Sequence, residues 1–372
     1  MVQKLLPKVN FQNYVNSKIV SSEVNNVKEE IYENFKGKTI LVTGGTGSFG
    51  NMLTKTLLAN YKPKKVIIFS RDEFKQYEMQ QIFTDPCLRF FIGDVRDKSR
   101  LHRAFEGVDY IVHAAALKHV PTAEYNPFEV IKTNVLGAQN VIDVSIDVGV
   151  KKVVALSTDK AASPINLYGA SKLCSDKLFI SGNSYVGQKD TRFSVVRYGN
   201  VVGSRGSVVP LFFKLKNTGT LPITDEKMTR FWITLQQSVD FVLRVFKWMG
   251  GGELFVPKIP STTILDIAKA IGPECNTEIV GIRPGEKLHE TLITEEDAMY
   301  TLESQDHFTI LPYLASLTGN KPANKNGKPV KEGFKYASNN NPEKLSSEET
   351  KRLIHEHFKG QDNDILRKTD NR

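Results

Sequence analysis

The sequence predicts an α/β fold, a doubly wound parallel sheet carrying a smaller C-terminal α/β lobe. Three observations predict it. From Lys38 to Arg197, short apolar runs alternate with stretches of helical period, the rhythm of a parallel sheet with crossover helices. The first run ends in TGGTGSFG (Thr43–Gly50), a glycine-rich turn leading into a helix. After about residue 205 the rhythm breaks into short segments, as in a lobe that caps a substrate.

Composition sets the outer bounds. With 372 residues, 40% of them hydrophobic and 24% charged, the chain holds one large domain and an appendage. No stretch reaches the roughly 18 apolar residues of a membrane span, and the N-terminus lacks a secretory apolar core, so a cytoplasmic protein is expected. Three separated cysteines without a CxxC pair argue against a disulfide frame and against a metal site. The net charge of +9 is scattered and accompanied by no nucleic-acid motif, so most of it reads as a basic solvated surface, with a phosphate-rich substrate and cofactor using some of it.

In order, residues 1–35 read as a polar N-terminal extension with a short helix near Val24–Phe35. The strand ending at Val42 runs into Gly44, Gly47 and Gly50, spaced as in a Rossmann-type dinucleotide turn, with Thr46, Ser48 and Phe49 between them. The first glycine permits the turn, the second lets backbone approach a pyrophosphate, and the third lets the helix pack closely on the strand. A helix over Gly47–Ala59 offers its N-terminal amides to phosphate. The second strand, Lys65–Phe69, ends in Ser70-Arg71-Asp72, where the adenosine ribose is read. Ser70, Arg71 and Lys75 suit the 2′-phosphate of NADP, whereas Asp72 leaves NAD possible.

Further on, Asp94 and Val95 follow the third strand, where Asp94 reads as an adenine contact or a loop cap. The fourth strand ends in Ala114-Ala115-Ala116, whose small side chains let a nicotinamide lie against backbone. Lys118 follows as a substrate contact, and Asn134 interrupts the apolar face of a helix over Pro127–Val144. After strand Phe193–Arg197, Asn200 and Arg205 lie in a loop suited to a sugar nucleotide, and Arg230 and Arg283 suit a diphosphate or uridine. The boundaries expected are an extension over 1–35, a dinucleotide-binding domain over 36–205 with later segments returning to it, a substrate lobe over 206–358 and a polar tail over 359–372. The stretch Gly319–Asn341 reads as irregular, and Ser346–Phe358 as a closing helix.

The chemistry concentrates in STDKAASPINLYGASK, Ser157–Lys172. Tyr168 and Lys172 stand four apart, one helical turn on one face. An ammonium beside a phenol lowers the phenol toward working pH, making it a base for an alcohol proton. Thr158 supplies a hydroxyl. Asp159 and Lys160 add an acid and an amine, more than reversible alcohol oxidation requires, and so point to a second chemical step.

These stretches, with HAAALKHVPTAEYNPFE, RYGNVVGSRGSVVPLF, KMTRFWITL, IRPGEKLHE and GFKYASNNNPEKLS, resemble the extended short-chain dehydrogenase/reductase family. Within it they are similar to the inverting UDP-N-acetylglucosamine 4,6-dehydratases that begin pseudaminic acid synthesis. The resemblance spans about 36–358. It implies that Tyr168, with Lys172 and Thr158, takes the sugar 4-hydroxyl proton as hydride passes to NADP. It further implies that Lys160, its pKa depressed, removes the C5 proton, that Asp159, protonated, releases the 6-hydroxyl as water, and that hydride returns to C6. It places Glu286 with the substrate contacts and implies a homo-oligomer, a dimer or hexamer. A 4- or 5-epimerase of the same fold, with Asp159–Lys160 as an ordering salt bridge, stays open, as does a non-catalytic nucleotide-sugar module.

Overall fold

The computed structural model describes residues 29–204, 207–313 and 327–358. Its frame is a sheet whose first six strands are β1 (Thr39–Thr43), β2 (Lys65–Ser70), β3 (Leu88–Ile92), β4 (Tyr110–His113), β5 (Lys152–Leu156) and β6 (Arg192–Val196). They run parallel in the order β3-β2-β1-β4-β5-β6. All five residues of β1 are buried, as expected of a strand covered on both faces. The order reverses between β1 and β4, which opens a crevice at the carboxyl ends of these strands.

The sheet continues beyond β6. Strand β7 (Leu254–Pro257) joins β6 in parallel, and β8 (Thr301–Glu303), β9 (His307–Ile310) and β10 (Lys328–Pro329) add an antiparallel edge. Helix α1 (Ser48–Asn60) packs beside the late helix α6 (Leu235–Trp248) in one layer. In the other, α3 (Lys98–Phe105), α4 (Gly137–Val148) and α5 (Leu167–Gly182) lie side by side, while the short α2 (Glu73–Ile82) follows β2. Chain well past residue 205 therefore completes the large sheet and its helical cover.

A second, smaller core gathers Phe212, Leu221, Trp232, Ile267, Leu353 and Ile354 among its buried residues. It binds together the helices Val208–Leu215, Ile264–Ile271 and Ser347–Phe358 and the parallel pair Thr220–Ile223 and Asn276–Ile279. A three-stranded sheet, Ser261–Thr263 with Thr229–Ile233 and Asn200–Val201, links this lobe to the cleft.

Three expectations change here. Residues 29–35 are helical, and Phe35 is fully buried with its ring against Tyr61, Tyr110 and Phe246. The end of the supposed extension thus seals the main core. The helix expected over Pro127–Val144 is three pieces: Pro127–Ile131, a π-turn over Lys132–Leu136, and α4. Within Gly319–Asn341, the described part holds the strands Lys328–Pro329 and Tyr336–Ala337.

Candidate active site

One continuous cleft of about 1120 Å³ runs along the carboxyl ends of β1, β2, β4 and β5 and under the smaller lobe. That is above the 300–1,000 Å³ range of ordinary single-ligand sites, so it has room for a dinucleotide and a second nucleotide side by side.

At one end the backbone makes the cradle. Gly44 sits at φ 65°, and a Cβ there would lie 2.9 Å from the backbone of Ala115. Gly47 is the N-cap of α1 and no side chain caps its first amides, which leaves them open to an anion. Thr46 and Ser70 join their hydroxyls at 2.8 Å across the turn. Gly44, Thr46, Gly47, Ser48, Phe49, Ala114, Ala115 and Ala116 all line the cleft. Gly50 serves the packing beneath it, since a Cβ there would meet the Gly45 carbonyl oxygen at 2.1 Å. Such a cradle of bare amides and small side chains fits a dinucleotide.

Beside it, Ser70, Arg71, Lys75, Asp94 and Val95 also line the cleft. Asp72 is occupied as the N-cap of α2: its carboxylate accepts from the Lys75 amide at 3.0 Å and from Lys75 Nζ at 2.5 Å. Arg71 stands 3.6 Å from Asp94, whose other partner is Arg96. Burial alone would raise the Asp94 carboxyl, but Arg96 and Arg71 hold it below the ordinary range. Asn134, which the sequence also suggested as a cofactor contact, is not among the residues that line the cleft. Its carboxamide is saturated, accepting from the Leu117 amide at 2.8 Å and donating to the Leu117 carbonyl and Ser171 Oγ. From the π-turn it fixes the segment that carries Lys118 against α5.

The centre of the site is built by β5 and α5. Thr158 and Asp159 follow β5 in a short 3-10 turn, Asp159–Ala161. Asn166 caps α5 through the Gly169 amide at 2.8 Å and reaches the Gly285 carbonyl, also at 2.8 Å. Gly169 is needed because a Cβ there would lie 2.2 Å from the Lys160 carbonyl oxygen. The glycine after Tyr168 thus lets the first turn of α5 press onto the catalytic turn, and Thr158, Asp159, Lys160, Tyr168 and Lys172 all face one cleft.

Charge in this centre differs from the expectation in two respects. Tyr168 is pushed up to about 12 by burial, and Lys160 and the Thr158 hydroxyl offset part of that rise. Lys172, itself lowered by burial, faces the buried Asp176. Lys160 is not depressed. Burial would lower it, but Asp159 at 3.0 Å and Glu290 at 3.3 Å more than reverse that and hold it as an ammonium. Lys118, by contrast, is lowered by burial and by the neighbouring Lys160.

The remaining lining of the cleft comes largely from later in the chain. Arg230 is buried, with its guanidinium donating to the carbonyls of Thr229, Leu288 and Lys287. Arg283 is exposed and paired with Glu286 at 2.9 Å. Asn200, Lys118, Arg230, Arg283 and Glu286 line the cleft, whereas Arg205 lies outside the described residues. Glu290, Lys287 and Asp176 are the residues that sequence reasoning missed. Glu290 ends the quoted stretch IRPGEKLHE, and the signal that identifies it is its reach across the fold to Lys160. No group of three or more His, Cys, Asp or Glu among the described residues is arranged to hold a metal, and no helix among them is long and apolar enough to cross a membrane.

Comparison with known proteins places this geometry. Residues 40–312 match the model of a family described as polysaccharide biosynthesis protein. A UDP-N-acetylglucosamine 4,6-dehydratase (inverting) of Campylobacter jejuni is 57% identical over 327 residues, covering 86% of this chain and 98% of its own. A UDP-glucose 4-epimerase of Rickettsia akari is 47% identical, covering 71% of this chain and 80% of its own. The solved structure of Pen from Bacillus thuringiensis superposes with a TM-score of 0.80 at 39% identity, covering 87% of this chain and 98% of that one.

Proposed function

The chain belongs to the polysaccharide biosynthesis family of short-chain dehydrogenase/reductase fold, and from that premise we propose that it is a configuration-inverting UDP-N-acetylglucosamine 4,6-dehydratase. The observation that carries the proposal is the cluster of Asp159, Lys160 and Glu290 beside Tyr168. An epimerase needs the tyrosine and a hydroxyl; a buried acid and amine within 3.0 Å of each other supply the further proton transfers of a dehydration.

The proposed cofactor is NADP. Ser70 and Arg71 stand at the end of β2, and the Asp72 carboxylate that would favour NAD is engaged by Lys75. Held by the cradle of Gly44, Gly47 and Ala114–Ala116, the cofactor would supply reversible hydride acceptance from the sugar. The residues of this chain do the rest. Tyr168, raised by burial but with Lys160 and Thr158 offsetting part of that rise, takes the proton of the 4-hydroxyl. The 4-ketone acidifies C5, and Lys160 takes the C5 proton once its own proton has moved away. Asp159 hands a proton to the departing 6-hydroxyl. Arg230, Lys118 and Asn200 line the path for the UDP-sugar, with Arg283 and Glu286 at the rim. A cytoplasmic homo-oligomer serving pseudaminic acid-type synthesis belongs to the same reading by resemblance. So does the division into a dinucleotide domain and a substrate lobe, which the two separate cores support.

The test is direct. Purified protein with NADP and UDP-N-acetylglucosamine should give a 4-keto-6-deoxy sugar nucleotide, seen by proton NMR as a new C6 methyl signal, with no net consumption of cofactor. Formation of the 4-epimer without a methyl signal would reject dehydration and promote the epimerase reading.

A further inference from the structure

Lys160 Nζ stands between two carboxylates whose side chains are 1% and 2% exposed, those of Asp159 and Glu290. Each acid keeps one buried oxygen without a hydrogen-bond partner, Asp159 Oδ2 and Glu290 Oε2. Asp159 Oδ1 already accepts from the Thr158 hydroxyl at 3.0 Å and from Lys160. Glu290 turns Oε1 toward Lys160, while its Oε2 is buried with no hydrogen-bond donor; Lys287 Nζ is 3.9 Å away. The backbone of Glu290 is pinned on both sides by the buried Ser338, whose Oγ accepts from the Glu290 amide at 3.0 Å and whose amide donates to the Glu290 carbonyl at 2.8 Å. Ser338 in turn shares a 2.6 Å hydroxyl contact with Thr229. This carboxylate is aimed.

An ammonium cannot act as a base, so Lys160 must lose a proton before it can take one from C5. We propose that Glu290 is the positioning residue that receives it: an Nζ–H bond of Lys160 breaks, an O–H bond forms on Glu290, and the freed lone pair on Nζ takes the C5 hydrogen. The proposal rests on the dehydratase reading. The exchange turns an ion pair, its carboxylate buried and its ammonium partly exposed, into two neutral groups, so the net charge of the pair is unchanged and the cost of holding the carboxylate charged away from water is relieved. The charged and titratable groups facing the pair pull in both directions. Arg230 and Lys118 favour the neutral amine, Asp159 opposes it, Lys287 beside Glu290 Oε2 favours the ionised carboxylate, and the Tyr168 phenol stands beside the amine. Glu290 is chosen over Asp159 because the proposed part of Asp159 is to give a proton to the leaving hydroxyl, and its Oδ1 is already shared by Thr158 and Lys160.

Glu290→Gln keeps the shape and removes the acceptor. With NADP and UDP-N-acetylglucosamine in deuterated water, deuterium incorporation at C5 should slow by about 100-fold or more. Absorbance of reduced nicotinamide should still appear on mixing, because Tyr168 acts at the 4-hydroxyl without Glu290. Glu290→Asp, which keeps a titratable carboxylate, should restore part of the exchange. Exchange within about threefold of wild type in the Gln variant would overturn the proposal, since a lost proton transfer costs far more. Equal loss of exchange and of nicotinamide reduction, unrelieved by Glu290→Asp, would overturn it in favour of a purely structural carboxylate. Wild-type protein that gives neither signal would instead overturn the dehydratase reading on which it rests.

Discussion

Lys160 is the residue on which the proposed chemistry turns, and its charge is set by neighbours of different origin. Asp159 is adjacent in sequence and legible there; Glu290 arrives from the far side of the fold and is not. The same holds for Tyr168. Its spacing to Lys172 is visible in the sequence, whereas the burial that raises the phenol and the partial offset from Lys160 come from the fold. Beneath them His113 is buried, with Nδ1 2.9 Å from Thr43 Oγ1, and burial together with Lys172 lowers it to about 3. A depressed histidine contributes stability that is complete above its unfolded value near 6.5 and is lost as pH falls toward 3. Unfolding free energy should therefore drop with acid in that window, this residue contributing up to about 1.4 kcal/mol per pH unit. Denaturant titrations of His113→Gln should show the slope reduced by about one proton. An unchanged slope would mean that His113 is already charged in the folded protein.

At the scale of elements, the strands and the glycine turn were readable because both rest on local pattern: continuous apolar runs for strands covered on both faces, and glycine wherever backbone meets backbone. Gly50 and Gly149 separate two uses of the residue. A Cβ at Gly50 would press on the Gly45 carbonyl at 2.1 Å, whereas Gly149 closes α4 at φ 75° with nothing within 4 Å. Gly50→Ala should lose about 1–3 kcal/mol of stability by overpacking and lose dinucleotide affinity with it. Gly149→Ala should cost about 1–2 kcal/mol for the left-handed conformation and leave affinity intact. Thermal melts with and without NADP check both, and equal cofactor affinity in the two variants would contradict the assignment of the turn. The π-turn at Lys132–Leu136 was not legible, since one extra residue in a helical turn barely disturbs the apolar period. Its consequence is nonetheless specific: it presents Asn134 to the Leu117 backbone and Ser171 and away from the cleft.

Across the whole molecule, the cleft is complete only because late chain returns to early chain. Helix α6 lies beside α1, β7 extends the parallel sheet, and the strand Thr291–Ile293, paired with Tyr336–Ala337, sets Glu290 against the turn after β5. Such long-range closure leaves no periodic trace, which is why the sequence located the acid, amine and phenol but not the carboxylate facing the amine. The central claim is that this assembled cluster removes the C5 proton and returns one on the opposite face during loss of water. The most direct measurement is proton NMR of UDP-N-acetylglucosamine turned over by the wild-type protein with NADP in deuterated water. The account predicts a C6 methyl signal, deuterium at C5 and the L-arabino configuration. A C6 methyl signal with C5 configuration retained would contradict it.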